Sequence, residues 1–214
     1  AAVCPTRFTN ALATPSCSPS RAALLTGQYP HQNGIGAVYL GDETGSDHMA
    51  LDLVTVPVML PAEVYCALLG KWHLGNSGGS GNALWDPILQ GFDLFFGTEW
   101  NIDDHYTYQK HLVYPWTHFS GGVQGYSGEH TTQDALQLLS ELESQGTEGF
   151  VLVSYNLAHS PFQGPPGVSG DPFTLMVDYL DTQVGVIAAQ LGPEDTLIVM
   201  GDNGTPGSQV LRDK

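Results

Sequence analysis

Positive charge is scarce in this chain: its 214 residues hold six Lys and Arg against 22 Asp and Glu, a formal net charge of −16. A surface of that sign repels polyphosphate backbones and anionic headgroups, so nucleic acid and membrane surfaces are excluded as first partners. Cysteine is scarce too. Cys4, Cys17 and Cys66 are odd in number and too widely spaced for a CxxC metal or redox motif, which excludes a disulfide-stapled module. No uninterrupted apolar run approaches the roughly 20 residues of a membrane span. The opening AAVCPTRFTN has neither the basic nor the apolar region of an export signal. There is no internal repeat, and the one low-complexity stretch, residues 76–82 (NSGGSGN), reads as a surface loop.

Apolar residues make up 42% of the chain, enough to bury the core of one domain or one large lobe, while 26 Gly and 14 Pro point to many loops rather than to disorder. The chain opens in mid-pattern without Met and closes at Leu211-Arg212-Asp213-Lys214 just after an apparent working loop, so a piece of a longer protein is expected.

In residues 173–191, Phe173, Met176, Val177, Leu180, Val184, Ile187, Ala188 and Leu191 recur at steps of three and four, the apolar face of a helix. Asp171 is placed to cap it, Pro172 to occupy its first turn and Gly192-Pro193 to stop it. A second helix is predicted over 132–143, with Ala135, Leu138, Leu139 and Leu142 on one side and Thr131 as cap. Residues 150–155 (FVLVSY) and 196–200 (TLIVM) read as strands covered on both faces, and residues 64–69 as a weaker third. This alternation predicts an α/β layered fold with its site in the loops beyond the strands' C-terminal ends. Those loops are Gly70-Lys71-Trp72-His73, residues 156–161 and Gly201-Asp202-Asn203-Gly204.

Cys17-Ser18-Pro19-Ser20-Arg21 opens a short predicted helix capped by Ser18, begun by Pro19 and ended by Gly27. Cys17 then sits at the positive end, where free N–H groups and the dipole favour a thiolate or an oxyanion, and Arg21 lies one turn on. Taken singly, each such residue has a blander reading. Cys17 is then a small buried Cys ahead of an ordinary helix, Lys71 a solvated loop lysine and His159 a loop histidine satisfied by backbone. Asp202-Asn203-Gly204 is either an Asx turn or a pair of hard oxygen donors for Ca²⁺ or Mg²⁺. Cys66 reads as inert core. Between Trp100 and Tyr126 lie Tyr106, Tyr108, Tyr114, Trp116 and Phe119, either a sugar-stacking rim or loop residues packed over the sheet, and Asp103-Asp104-His105 could touch substrate.

CSPSRAALLTG (17–27) resembles the C-x-P-S-R signature of the sulfatases, and VYCALLGKWHLG (64–75) resembles their second signature. GFDLFFG (91–97), SYNLAHSPF (154–162), DYLDTQVG (178–185) and MGDNG (200–204) are similar to further sulfatase segments in the same order. The resemblance implies the alkaline phosphatase-like fold: a central, largely parallel sheet with helices on both faces. It also implies that Cys17 is oxidised by a separate maturation enzyme to Cα-formylglycine, whose hydrate has one hydroxyl to attack sulfur and a second to expel sulfate. By the same resemblance Arg21 holds the formylglycine, Lys71 bridges it and a sulfate oxygen, His73 contacts the hydrate and His159 the sulfate or leaving oxygen. Asp202, Asn203 and position 17 would ligate Ca²⁺, with Mg²⁺ as the other candidate.

The chain as a whole, residues 1–214, is therefore expected to be a partial sulfatase catalytic domain. The family's N-terminal strand with its acidic pair and the C-terminal subdomain would lie outside it, and the second catalytic Lys just past Lys214. The parent would hydrolyse a small-molecule or carbohydrate sulfate ester, in the periplasm, outside the cell or in the lysosome, without a nucleic-acid partner or membrane span. Two alternatives stay open: a phosphonate or phosphate ester hydrolase of the same superfamily, and a catalytically incompetent remnant. The chain by itself is expected to be inactive and poorly stable, because a strand central to the sheet is absent.

Overall fold

The computed structural model describes residues 6–39, 49–75, 86–114 and 117–204. Cys4, residues 76–82, Trp116 and Lys214 lie outside the described residues. The strand around which the rest is arranged is β1 (Tyr65–Lys71), buried at every position from Cys66 onward. It pairs in parallel with β2 (Leu94–Thr98) on one side and with β5 (Gly149–Ser154) on the other. β3 (Thr107–Tyr114) and β4 (Thr117–Gln124) extend the sheet as antiparallel neighbours, giving the order β4-β3-β2-β1-β5.

The alternation along β1 sends its side chains into two separate cores, which is why its sequence reads as an unbroken apolar run. Cys66 and Leu68 pack with Phe92, Phe95, Trp72 and Val113 against Ala22 and Leu25 of α1 (Cys17–Thr26). Ala67 and Leu69 face Ala135, Leu138 and Leu142 of α5 (Ser127–Gln145) and Ile187 of α6 (Pro172–Gln190). Three single-turn helices, α2 (Pro30–Asn33), α3 (Val56–Met59) and α4 (Asp86–Leu89), join these layers.

Local chemistry explains most boundaries. Asp171 caps α6 by accepting from the Thr174 N–H at 2.9 Å, with Pro172 in the first turn, as the sequence predicts. α1 ends at Gly27 in the left-handed region. Its start differs from expectation: Ser16 holds the N-cap position and Cys17 is already in the first turn, while the Ser18 hydroxyl accepts from Tyr39 N–H. α5 begins at Ser127, not at residue 132, so Thr131 lies inside it and donates to the Ser127 carbonyl. The first turn, Ser-Gly-Glu-His, has no apolar period to betray it, yet Ser127 and Gly128 are buried there.

Two expectations are corrected. The stretch from Thr107 to Gln124 is neither loop nor rim but the hairpin β3–β4, so half of the strand pairings are antiparallel. Residues 196–200 form no strand: among the described residues β5 bonds only to β1, the run makes no ladder, and Ile198 is 78% exposed. A strand needs a neighbour for its N–H and C=O groups, and neither edge of the sheet takes this segment. The same opening leaves β5 half-buried and α6 with only Met176 and Ile187 buried on its predicted apolar face.

β1 ends in a close backbone crossing. Gly70 has φ +93, and a Cβ on it would overlap the Ser154 carbonyl of β5; a Cβ on Gly97 of β2 would overlap Gly70 itself. Gly70→Ala is therefore expected to destabilise the protein by about 3 kcal/mol, read from a denaturant midpoint. An unchanged midpoint would show that the strands can part at no cost.

Candidate functional site

The C-terminal ends of β1, β2 and β5 and the N-terminus of α1 meet at one point. Cys17, in the first turn of α1, is 8% exposed. The His159 ring first, and Lys71 with it, lie beside its thiol and hold its pKa below the ordinary thiol value despite burial. His159, half-buried in the loop after β5, is shifted the other way, chiefly by the same contact with Cys17. Its Nδ1 lies 2.6 Å from the Ser160 carbonyl. A carbonyl only accepts, so Nδ1 carries a proton and Nε2 is the nitrogen left to exchange one with position 17.

Lys71, the last residue of β1, is 3% exposed, and its Nζ donates to Asn101 Oδ1 at 2.5 Å. Burial first, and then the neighbouring Arg21, bring its pKa from 10.5 to about 8. Arg21, one turn into α1, points its guanidinium at three elements. Nη1 donates to the Lys71 carbonyl at 3.0 Å, Nη2 donates to Ser154 Oγ, and Nε stands 3.7 Å from Asp202 Oδ2. Ser154 Oγ in turn donates to the Lys71 carbonyl at 2.8 Å, so that one oxygen is clamped by α1 and β5 together.

His73 adopts φ 58, the one described non-glycine residue in the left-handed region, and is almost wholly buried, edge-on to Trp100. Its Nε2–H donates to the Tyr39 carbonyl at 3.2 Å. Burial, with Lys71 and Arg21 nearby, drives its pKa down to about 3, so the ring is neutral and its buried Nδ1 is an unpartnered acceptor. Asp202 and Asn203 follow the unpaired 196–200 segment. Asn203 Nδ2 donates to the Gly204 carbonyl, while its Oδ1 is buried without a partner.

The structure thus brings Cys17, Arg21, Lys71, His159 and Asp202 into one cluster of interacting groups, sets His73 in the same field of charge and places Asn203 next in the chain. Cys66, in contrast, is core in β1, its thiol pushed up by burial. Asn101, Ser154 and Thr98, which accepts from Asn156 Nδ2 at 3.0 Å, belong to the site but were not singled out in the sequence. The available signal was the run LFFGT: once read as a strand parallel to β1, it pairs Thr98 with Lys71 and delivers Asn101 to the same end.

The sulfatase family profile matches residues 4–209. The chain belongs to the sulfatase family. Mouse arylsulfatase J is 30% identical over 173 residues, 74% of this chain and 27% of that protein. Mouse steryl-sulfatase is 42% identical over 92 residues, 40% of this chain and 15% of that protein. The chain therefore spans about a quarter or less of these relatives. Among solved structures, the PsFucS1 sulfatase of Pseudoalteromonas sp. superposes with a TM-score of 0.64 at 18% identity, covering 82% of this chain and 42% of that one. Sulfatase membership and the alkaline phosphatase-like layered fold account for the position of the cluster, beyond the C-terminal ends of parallel strands.

Asp202 and Asn203 are hard oxygen donors, and the orphaned Asn203 Oδ1 suits an oxygen-seeking dication such as Ca²⁺ or Mg²⁺. They fit such an ion in kind and fall short in number: among the described residues no group of three or more His, Cys, Asp or Glu could hold a metal. No helix among those residues is long and apolar enough to cross a membrane.

Proposed function

We propose that the protein of which this chain is part hydrolyses sulfate monoesters at position 17, after conversion of Cys17 to formylglycine by a maturation enzyme. The observation that carries this reading is the convergence of Lys71 and His159 on the Cys17 side chain at a helix N-terminus, in a chain that owns only six Lys and Arg. A lone buried structural thiol would need none of them.

The residues divide the work by their protonation. Lys71 and Arg21 supply positive charge where a sulfuryl group's equatorial oxygens would gather negative charge, and burial of the Lys71 ammonium strengthens it. Arg21 also fixes the Lys71 backbone, so the ammonium is aimed rather than tethered. Neutral His73 offers its free Nδ1 to a hydroxyl at position 17, a role an imidazolium could not fill. His159, held protonated at Nδ1 and with a raised pKa, is the group placed to hand a proton to the departing alcohol. The formylglycine hydrate supplies a nucleophilic hydroxyl and a second hydroxyl whose deprotonation releases sulfate. A dication held by Asp202 and Asn203 would add Lewis acidity.

Co-expression of the complete protein with the maturation enzyme, followed by turnover of an aryl sulfate and an aryl phosphonate, tests the reading. Preferential sulfate turnover that disappears in Cys17→Ala is expected. Preferential phosphonate turnover would replace it with the phosphonate hydrolase, an unmodified thiol at position 17 would overturn the formylglycine mechanism, and absence of turnover on both would leave the incompetent remnant.

A further inference from the structure

The loop that carries His159 is held from behind by a residue that no motif marks. His105 precedes β3, is 0% exposed, and has both ring nitrogens engaged: Nε2 with the His159 carbonyl at 3.2 Å and Nδ1 with Ser127 Oγ at 2.8 Å. The carbonyl can only accept, so Nε2 bears the hydrogen, and in the neutral ring Nδ1 is then the acceptor of the Ser127 hydroxyl. The tautomer follows from the partners. The surroundings continue the same contact. The His105 backbone N–H donates to Gln163 Oε1 at 2.6 Å, Tyr126 Oη–H to the Gln163 carbonyl at 2.9 Å, and Tyr106 Oη–H to the Gly164 carbonyl at 2.6 Å. His159 is thus bounded on its C-terminal side by a strap fastened at residues 159, 163 and 164 to the start of β3 and the first turn of α5.

We infer that His105 is the positioning residue for His159: its Nε2–H anchors the His159 backbone carbonyl and so aims the His159 imidazole at position 17. The ring of His159 is oriented by the very next carbonyl, that of Ser160, so fixing the peptide between them fixes the ring. A space-filling role would be served as well by an apolar ring. Burying an imidazole with both nitrogens satisfied makes sense only where a directed donor is needed. Ser127 supports it one step further back, since its hydroxyl occupies Nδ1 and holds the hydrogen on Nε2.

Two amide substitutions separate positioning from packing. A Gln side chain can put its amide N–H near the place of Nε2 and reach the His159 carbonyl; an Asn side chain is one carbon too short and can only replace the Nδ1 function. Two readouts are used. The first is the rate at which iodoacetamide alkylates Cys17, read by peptide mass spectrometry, near neutral pH in the unmatured protein with Cys4 and Cys66 both changed to Ser; the second is aryl sulfate turnover after maturation. His105→Asn is expected to slow alkylation and lower kcat, each about tenfold, with little change in KM, and His105→Gln to restore both to within about threefold of the parent. Ser127→Ala should fall between them. Equal losses in His105→Asn and His105→Gln that track a lowered melting temperature would make the role one of packing and overturn the proposal; so would an unaltered His105→Asn. The turnover part rests on the sulfatase reading, whereas the alkylation part does not. A parent protein without turnover but with the expected alkylation pattern would sink the former and keep the latter.

Discussion

Replacing Lys71 by Met is expected to stabilise the folded protein near neutral pH while cutting aryl sulfate turnover about a thousandfold, two effects of opposite sign from one side chain. Lys71 is buried beside Arg21, and its pKa falls from 10.5 in the unfolded chain to about 8 in the fold. The folded-state value is the lower one, so between those limits the unfolded chain binds more protons and stability rises with pH. Below about 8 the penalty for keeping the ammonium buried is at its full value, about 3 kcal/mol, and it has vanished above 10.5. Methionine fills a similar volume without the charge. Losing the Nζ bond to Asn101 takes back about 1 kcal/mol, leaving a net gain of about 2. The gain should shrink steadily as the melt is repeated at higher pH. Inorganic sulfate offers a second check: it should raise the melting temperature of the parent more near neutrality than in alkaline buffer, and hardly affect Lys71→Met. A methionine variant that is less stable near neutrality would mean that the ammonium is already balanced by a negative partner.

How much of this was legible in the sequence depended on whether the information was local. α6 could be read in full because its cap, its proline and its period lie in one stretch. β1 could be read because a strand covered on both faces has few polar positions to interrupt it, and β5 because Phe150 to Val153 are apolar without a break although the strand is only half-buried. The helix-start pattern and the loops after predicted strands brought Cys17, Arg21, Lys71, His73, His159, Asp202 and Asn203 into view, but only the signature segments in register joined them: nothing local ties Cys17 to a histidine in the loop after β5.

What stayed hidden was set by strand register and by absent neighbours. Ser154 enters the site only because β5 pairs it with Gly70, and Asn101 only because β2 carries Thr98 level with Lys71. The aromatic stretch hid a hairpin because its alternation is formed by Tyr108, Lys110 and Leu112 on the α5 side, where Lys110 pairs with Asp134 and lies over the Phe96 ring. A buried lysine in the middle of a strand breaks the apolar pattern that would have marked it. The 196–200 segment shows the reverse failure. Its composition is that of a central strand, but composition states a preference for burial and cannot supply the strand that would provide it.

Arg21→Lys keeps the charge and is nevertheless expected to cost about 3 kcal/mol of stability and to lower turnover by two orders of magnitude or so. The guanidinium meets the Lys71 carbonyl, Ser154 Oγ and the Asp202 carboxylate in three directions from one rigid plane, its side chain only 11% exposed. An ammonium has three donors but one centre, and it cannot reach a strand end, a neighbouring strand and a loop together. The Asp202 contact is the first to go, and with it the restraint on the loop that carries Asn203. Arg21→Gln separates charge from shape: its amide can keep one bond to the Lys71 carbonyl, but the neighbouring positive charge is gone. Because Arg21 is among the causes that depress Lys71, the Lys71 pKa should climb in Arg21→Gln and stay low in Arg21→Lys, as followed by the pH dependence of lysine labelling at that residue. If Arg21→Lys instead matches the parent in melting temperature and turnover, the fork geometry is dispensable and charge alone carries the residue's role.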